Sequence, residues 1–306
     1  MLFRPKLDWL QQELINAPNT PNEDYPKITI ITPSYNQGQF IEATIRSVLA
    51  QNYPNLEYFI FDGGSTDNTV DILKKYDKHI TYWESQADRG QSHAINKGFR
   101  AASGDIVGWL NSDDLFYPKT LQRVANCFKD KDYREILYGE GTYLLDKYQI
   151  SIKNTTARLS QKYPITLCDF IIQPSTFWGR TVVEEVGDLD EDLHYGFDWD
   201  WFIKAHNKNI PFQMVNECFS VYRIHAEHKS SAGGDKRTKE LAEIYRTYHG
   251  PTVADAYLQI NKNSNAILGK RILKRLPIGT SYLKKIYWKK KFGTIPFNTF
   301  ESILMM

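Results

Sequence analysis

Residues 27–64, KITIITPSYNQGQFIEATIRSVLAQNYPNLEYFIFDGG, decide the fold. The first part, KITIITPSYN (27–36), is rich in β-branched residues and reads as a strand broken by Pro33, which has no N–H to give a ladder. In QFIEATIRSVLAQ (39–51) the apolar Phe40, Ile41, Ile45, Val48 and Leu49 recur at helical spacing. LEYFIFDGG (56–64) is a second strand, ending in an aspartate and two glycines. Strand, helix, strand is the crossover unit that sets two strands parallel in one sheet.

The pattern continues downstream. Thr66 or Asp67 can cap a helix over NTVDILKKY, ITYWES (80–85) is a third strand, SHAINKGFRAAS (92–103) a third helix and DIVGWL (105–110) a fourth strand. Four alternations within about 85 residues predict an α/β fold with a mostly parallel central sheet flanked by helices. Such sheets bind ligands beyond the carboxyl ends of their strands. Here those ends read PSYN, DGGSTD, ESQADRG and NSDD: all are polar, and two hold paired or near-paired acids. From about 118 the pattern changes. PKTLQRVANCFK looks helical, EILYGEGTYLLD and YQISIK look like a hairpin, residues 165–230 are mixed, and a helical basic tail starts after 231.

At 306 residues, 42% hydrophobic and 24% charged, the chain is long enough for a sizeable core and has the balance of a globular protein. Three scattered cysteines argue against a disulfide framework or zinc spacing and suit a reducing compartment. With no long apolar run and no apolar signal core at the N-terminus, a cytoplasmic protein is expected. The net charge of +2 is uneven: residues 270–291 hold nine Lys or Arg and no acid, so the rest of the chain is acidic. A nucleic-acid-binding body is therefore not expected.

Three acidic groups can carry chemistry. FDGGSTDNT matches neither a Walker loop nor a dinucleotide fingerprint; Asp62 at its strand tip can accept hydrogen bonds from a ribose or a base, or only start a helix. In NSDD, Asp113 or Asp114 can cap the helix entered at Pro118, yet two hard oxygen donors at a strand tip equally suit Mg²⁺ or Mn²⁺. Asp198 and Asp200 alternate with Phe197, Trp199 and Trp201. Capping suits Asp200, whereas an Asp walled by aromatics is a candidate general base.

Together with ITPSYNQGQF, DRGQSHAINKGFRAASGDIVGWLNSDD, QPSTFWGR, DWDWFIKA and YRIHAEHKS, these groups resemble the family 2 glycosyltransferases of the GT-A fold, over roughly residues 27–230. The resemblance implies an N-terminal arm (1–26) and a domain over 27–230, with a nucleotide-sugar half (27–117) and an acceptor half (118–230). A basic helical extension (231–306) lies outside the match. It implies that Pro33, Tyr35 and Asn36 border the base, that Asp62 binds base or ribose, and that Asp88, Arg89, Asn96 and Lys97 line the donor pocket. Asp114 would hold the divalent cation, Asp113 the ribose or the ion, and His225 would reach metal or diphosphate. Asp198 would be the base, with Asp200 the alternative because the family's usual Glu-Asp is Phe197-Asp198 here. Gln173, Trp178, Trp199 and Trp201 would face the acceptor, although core packing competes for the tryptophans. The implied reaction is metal-dependent, inverting transfer from a nucleoside-diphosphate-sugar to a glycan or lipid-linked hydroxyl.

Two other readings compete with this one. A sugar nucleotidyltransferase wants a Gly-rich basic loop after the first strand, and PSYNQGQF has one Gly and no base. A non-catalytic sugar-binding or scaffold protein would have no use for Asp62, Asp113, Asp114 and Asp198 together. In the tail, Ile272, Leu273, Leu276, Ile278, Leu283, Ile286, Tyr287 and Trp288 interleave with the basic residues, as in helices that lie on anionic membranes. Peripheral contact with the inner face of a membrane is the expectation this raises; a solvated basic helix is the other.

Overall fold

The computed structural model describes residues 2–3, 25–129, 132–145, 150–153, 159–160, 162–226, 229, 233–262, 285, 288–289 and 291–306. After a short strand β1 (Leu2–Phe3), the deciding stretch folds into β2 (Ile28–Ser34), α1 (Ile41–Leu49) and β3 (Leu56–Asp62). Every residue of β2 is buried, as an inner parallel strand covered on both faces requires. Then come α2 (Thr69–Tyr76), β4 (Tyr82–Ser85), α3 (Gln91–Ala101) and β5 (Ile106–Trp109). β2 pairs in parallel with β3 and β5, and β3 with β4. The last β2–β5 pair is Ile31 with Trp109, so Pro33 sits beyond the point where an N–H is needed on that side.

Side chains alternate across this sheet and build two cores. Ile28, Ile30, Tyr58, Ile60 and Ile106 pack on one face; Ile31, Phe59, Phe61, Val107 and Trp109 pack on the other. Helix α3 lies so close to β2 that a Cβ at Gly98 would stand 2.5 Å from Ile31 Cγ2.

The second half adds β6 (Leu115–Phe116), α4 (Thr120–Phe128), β7 (Ile136–Leu145), β8 (Ile150–Lys153), β9 (Thr176–Gly179), α5 (Arg180–Val186), α6 (Phe197–Asn207) and β10 (Phe212–Ile224). β9 runs antiparallel to both β5 and β7, which turns a parallel sheet into a mixed one. The order is β1-β8-β7-β9-β5-β2-β3-β4, with β10 beside β7 and β6. The predicted hairpin is β7–β8.

Two expectations change here. The NSDD carboxylates cap no helix: α4 begins at Thr120 after Lys119 in a left-handed turn (φ 62°), and Asp113 and Asp114 lead into β6 instead. The region after 231 is also more than an appendage. Helices α7 (Gly234–His249), α8 (Pro251–Lys262) and α9 (Phe297–Met305) place Leu241, Tyr245, Tyr257 and Phe300 in the same core as Val107 and Trp109. Most of 270–291 lies outside the described residues. Among the described residues, no helix is long and apolar enough to cross a membrane.

Candidate active site

A cleft of about 640 Å³ opens where the strand ends converge. Its floor is Trp109, one wall is the turn after β2, and the other is the start of α6. Pro33 and Tyr35 line it, and the Tyr35 ring is 61% exposed, free to stack on a flat ligand. Ser34 and Gln37 also border the cleft, and Ser34 Oγ and Gln37 Oε1 are buried with no hydrogen-bond partner among the described residues. A polar ligand there would satisfy them.

The turn after β3 is built by Asp62. Its carboxylate accepts hydrogen bonds from the Ser65 N–H (2.8 Å), the Ser85 hydroxyl (2.6 Å) and the Ser65 hydroxyl. At 2% exposure it lies outside the cleft lining with both oxygens already accepting, and it shapes the turn that brings Gly63 to the cleft. Asn36 (φ 51°) plays a similar part, donating its N–H to Ser65 Oγ and accepting the Thr66 N–H. Asp88 does line the cleft and accepts the Gly90 N–H at 2.7 Å.

Asp113 and Asp114 stand together on the cleft wall. Asp113 Oδ2 lies 3.0 Å from His225 Nε2, and the His225 ring packs on Phe40 at 4.3 Å between centroids. His225 thus sits behind Asp113 and orients it. Asp114 accepts the Arg223 N–H (2.9 Å) and the Asn111 side-chain amide (3.3 Å). Burial and the Asp113 charge hold the Asp114 carboxyl well above the usual range. Two crowded hard oxygen donors, one raised by the other's charge, are the environment that a divalent cation relieves. Among the described residues no three His, Cys, Asp or Glu converge on one point; two carboxylates would leave positions on a divalent ion for a ligand's oxygens.

Across the cleft, Asp198 occupies the first turn of α6. One oxygen accepts the Trp199 N–H at 2.8 Å, and burial raises its carboxyl above the ordinary range. Asp169, which the sequence reading missed, is raised further by burial and by the charge of Asp198, against the pull of Arg237. Nothing in the sequence around LCDF marks Asp169. A carboxylate with raised proton affinity is the better base at neutral pH.

Several expected residues point elsewhere. Asp200 is held by Lys204 at 2.7 Å and by the Tyr248 hydroxyl at 2.7 Å, away from the cleft. Trp178, Trp199 and Trp201 are all 0% exposed, so none of them meets an acceptor; Trp199 donates to Ile165 O and Trp201 to Gly187 O. Asn96 is fully buried and clasps the Leu189 backbone by both its N–H and its C=O. Arg89 pairs with Glu191 and Lys97 with Glu84, outside the cleft lining. Gln173 does line the cleft, donating to Trp109 O at 2.9 Å. Gln91, within the quoted DRGQ but not singled out, bridges Asn111 (2.8 Å) and Lys229 (3.0 Å) over the same opening.

Comparison with known proteins agrees with this geometry. A family model described as Glycosyl transferase family 2 matches residues 29–169. The putative teichuronic acid biosynthesis glycosyltransferase TuaG of Bacillus subtilis (strain 168) is 41% identical over 233 residues, 72% of this chain and 88% of that protein. The uncharacterized glycosyltransferase RT0329 of Rickettsia typhi is 30% identical over 210 residues, 65% of this chain and 64% of the relative, just under two thirds of its length. Among solved structures, the mannosyltransferase PcManGT from Pyrobaculum calidifontis, in complex with GDP-Man and Mn²⁺, matches with a TM-score of 0.60 at 17% identity, covering 97% of this chain and 89% of that one. That likeness establishes the fold, the GT-A arrangement of a mixed sheet flanked by helices. On the family match and the identity to TuaG, the chain belongs to the family 2 glycosyltransferases.

Proposed function

We propose that this glycosyltransferase moves a sugar from a nucleoside-diphosphate-sugar to a hydroxyl of a glycan or lipid-linked acceptor, with inversion at the anomeric carbon. The carrying observation is that Asp198 and the Asp113–Asp114 pair, far apart in sequence, line one cleft. Asp198 takes the proton of the acceptor hydroxyl. The freed oxygen forms the new bond to the anomeric carbon as the bond to the diphosphate breaks, and its electron pair leaves with the nucleoside diphosphate. Asp113 and Asp114 would hold a divalent ion, which when bound would supply Lewis-acid neutralisation of that departing charge. His225 keeps Asp113 turned toward the cleft, and Tyr35, Ser34 and Gln37 receive the nucleoside.

The relatives support the class of donor and the setting. PcManGT is described with GDP-Man and Mn²⁺, and TuaG is named for teichuronic acid biosynthesis. Assembly of a cell-surface polysaccharide from the cytoplasmic side follows from that reading, with 270–291 touching anionic lipid. Of that segment, Trp288 faces inward, donating to Ile295 O and packing on Phe297 at 5.6 Å, so the contact falls to its neighbours. A panel of UDP-, GDP-, CDP- and dTDP-sugars, assayed for hydrolysis with Mn²⁺ and with EDTA, tests the reading. Metal-dependent release of one diphosphate supports it, and silence across the panel in both conditions rejects it.

A further inference from the structure

Helix α7 begins well past the family match and past every motif that identified the fold, yet it holds residues that line the active-site cleft. Glu240 on this helix accepts three successive backbone N–H groups. Oε2 takes that of His194 at 2.8 Å, and Oε1 takes those of Tyr195 (2.5 Å) and Gly196 (2.8 Å). These amides immediately precede α6, whose own N-cap residue, Gly196, makes no side-chain capping bond. The positive end of a helix favours an anion, and here the anion arrives from another helix.

The fit around this contact is close. A Cβ at Gly196 would stand 2.6 Å from Ile244 Cδ1 and 2.8 Å from Leu241 Cδ2, both on α7. Gly196 has φ −116° and ψ 17°, a backbone open to alanine, so the glycine answers to space alone. Further along, Tyr245 packs on Trp199 at 5.0 Å between ring centroids, and the Tyr248 hydroxyl donates to Asp200. Helix α7 therefore grips residues 194–196 and 199–200 and leaves Phe197 and Asp198 between them facing the cleft. His194 and Tyr195 line that cleft too.

We propose that Glu240 is a positioning residue for transfer: its carboxylate fixes the loop that aims Asp198 at the acceptor hydroxyl. This rests on Asp198 as the base. Misplacement of a reacting group by about 1 Å costs ~10²-fold in rate, and the hydrogen bonds described for Glu240 fall on residues 194–196, beside Asp198. The carbonyl oxygen of a glutamine can still accept from Tyr195 and Gly196, but its amide cannot accept from His194.

The test compares the full chain with Glu240→Ala, Glu240→Gln and Gly196→Ala in two measurements. Hydrogen exchange of peptides spanning 193–199, without ligand, is expected to speed up about tenfold in Glu240→Ala and less in Glu240→Gln. With the sugar nucleotide that the wild type turns over, kcat is expected to drop by ~10–10² in Glu240→Ala with donor KM unchanged. Partial rescue is expected in Glu240→Gln, and a comparable kcat loss in Gly196→Ala, which keeps the carboxylate but wedges the helices apart. Unchanged exchange, an unchanged kcat, or a donor KM that rises in step with the loss of kcat overturns the proposal. A wild type inactive on every sugar nucleotide overturns the glycosyltransfer reading, and the positioning role of Glu240 in transfer with it; the exchange data still report whether Glu240 holds the loop.

Discussion

Replacing Asp198 by Asn removes the proton acceptor while keeping the shape of the side chain. The Trp199 N–H that now bonds one Asp198 oxygen can bond the amide oxygen equally well, so the first turn of α6 survives. Loss of a general base slows turnover by ~10²–10⁴-fold. That is about 3–5 kcal/mol of barrier, at 1.36 kcal/mol per tenfold. Stability is expected to move the other way. The Asp198 carboxyl is raised by burial, and that of Asp169 by burial and the Asp198 charge. Groups raised in the folded state bind protons more tightly folded than unfolded, so they weaken the fold as pH climbs from the ordinary carboxylate range through the raised values. Above the raised values both charges carry that full cost, and Asp198→Asn relieves one of them. A gain of about 0.5–2 kcal/mol is in the usual range for a stabilising single change, here at the expense of function. Diphosphate release at saturating donor gives kcat, and thermal melts at pH 4, 6 and 8 give the linkage. The variant is expected to be at least a hundredfold slower, with a melting temperature that exceeds the wild type's at pH 8 and converges with it at pH 4. Wild-type turnover, or a stability deficit that widens with pH, refutes the reasoning.

Other outcomes follow from the same geometry. The Asp198 charge helps hold the Asp169 carboxyl up, so in Asp198→Asn the NMR titration of Asp169 moves to lower pH; an unchanged or higher midpoint contradicts the coupling. Asp114→Ala abolishes the Mn²⁺ dependence of nucleoside diphosphate binding in calorimetry run with and without EDTA, and an unchanged difference between the two runs rejects Asp114 as a ligand. Trp201, packed on Trp178 at 5.0 Å and on Phe99 at 5.9 Å, is core, so Trp201→Ala costs about 3–5 kcal/mol in urea unfolding. A loss of acceptor affinity at unchanged stability would return Trp201 to the sugar site. Replacing the basic residues of 270–291 by Gln, which leaves α9 and Phe300 in the core, reduces flotation with anionic liposomes, and equal flotation of both forms excludes lipid contact by 270–291.

The inner strands β2, β3 and β5 were legible because they are buried on both faces, which makes their apolar runs nearly continuous. Asp113, Asp114 and Asp198 stood out as acids at the ends of apolar elements, where charge needs a reason. What stayed hidden depends on the third dimension. In DWDWFIKA, acids and tryptophans alternate as though on two faces, but α6 is enclosed by the sheet, α5 and α7, so both tryptophans are buried and only Asp198 reaches the cleft. Asn96 looked like a ligand because it is polar within a motif; its bonds to Leu189 show a backbone clasp that no local pattern announces. Asp169 and Glu240 come from segments with no signature, and their roles exist only once α7 folds back onto the start of α6.

The account's central claim is a single cleft in which Asp198 activates an acceptor while Asp113 and Asp114 face the departing diphosphate. Proton NMR of the anomeric signal, followed during Mn²⁺-dependent transfer from an α-linked sugar nucleotide, tests it most directly. A first-formed product of β configuration, absent in EDTA and in Asp198→Asn, is the predicted result. An α-configured first product, or transfer that persists at full rate in Asp198→Asn, would contradict it.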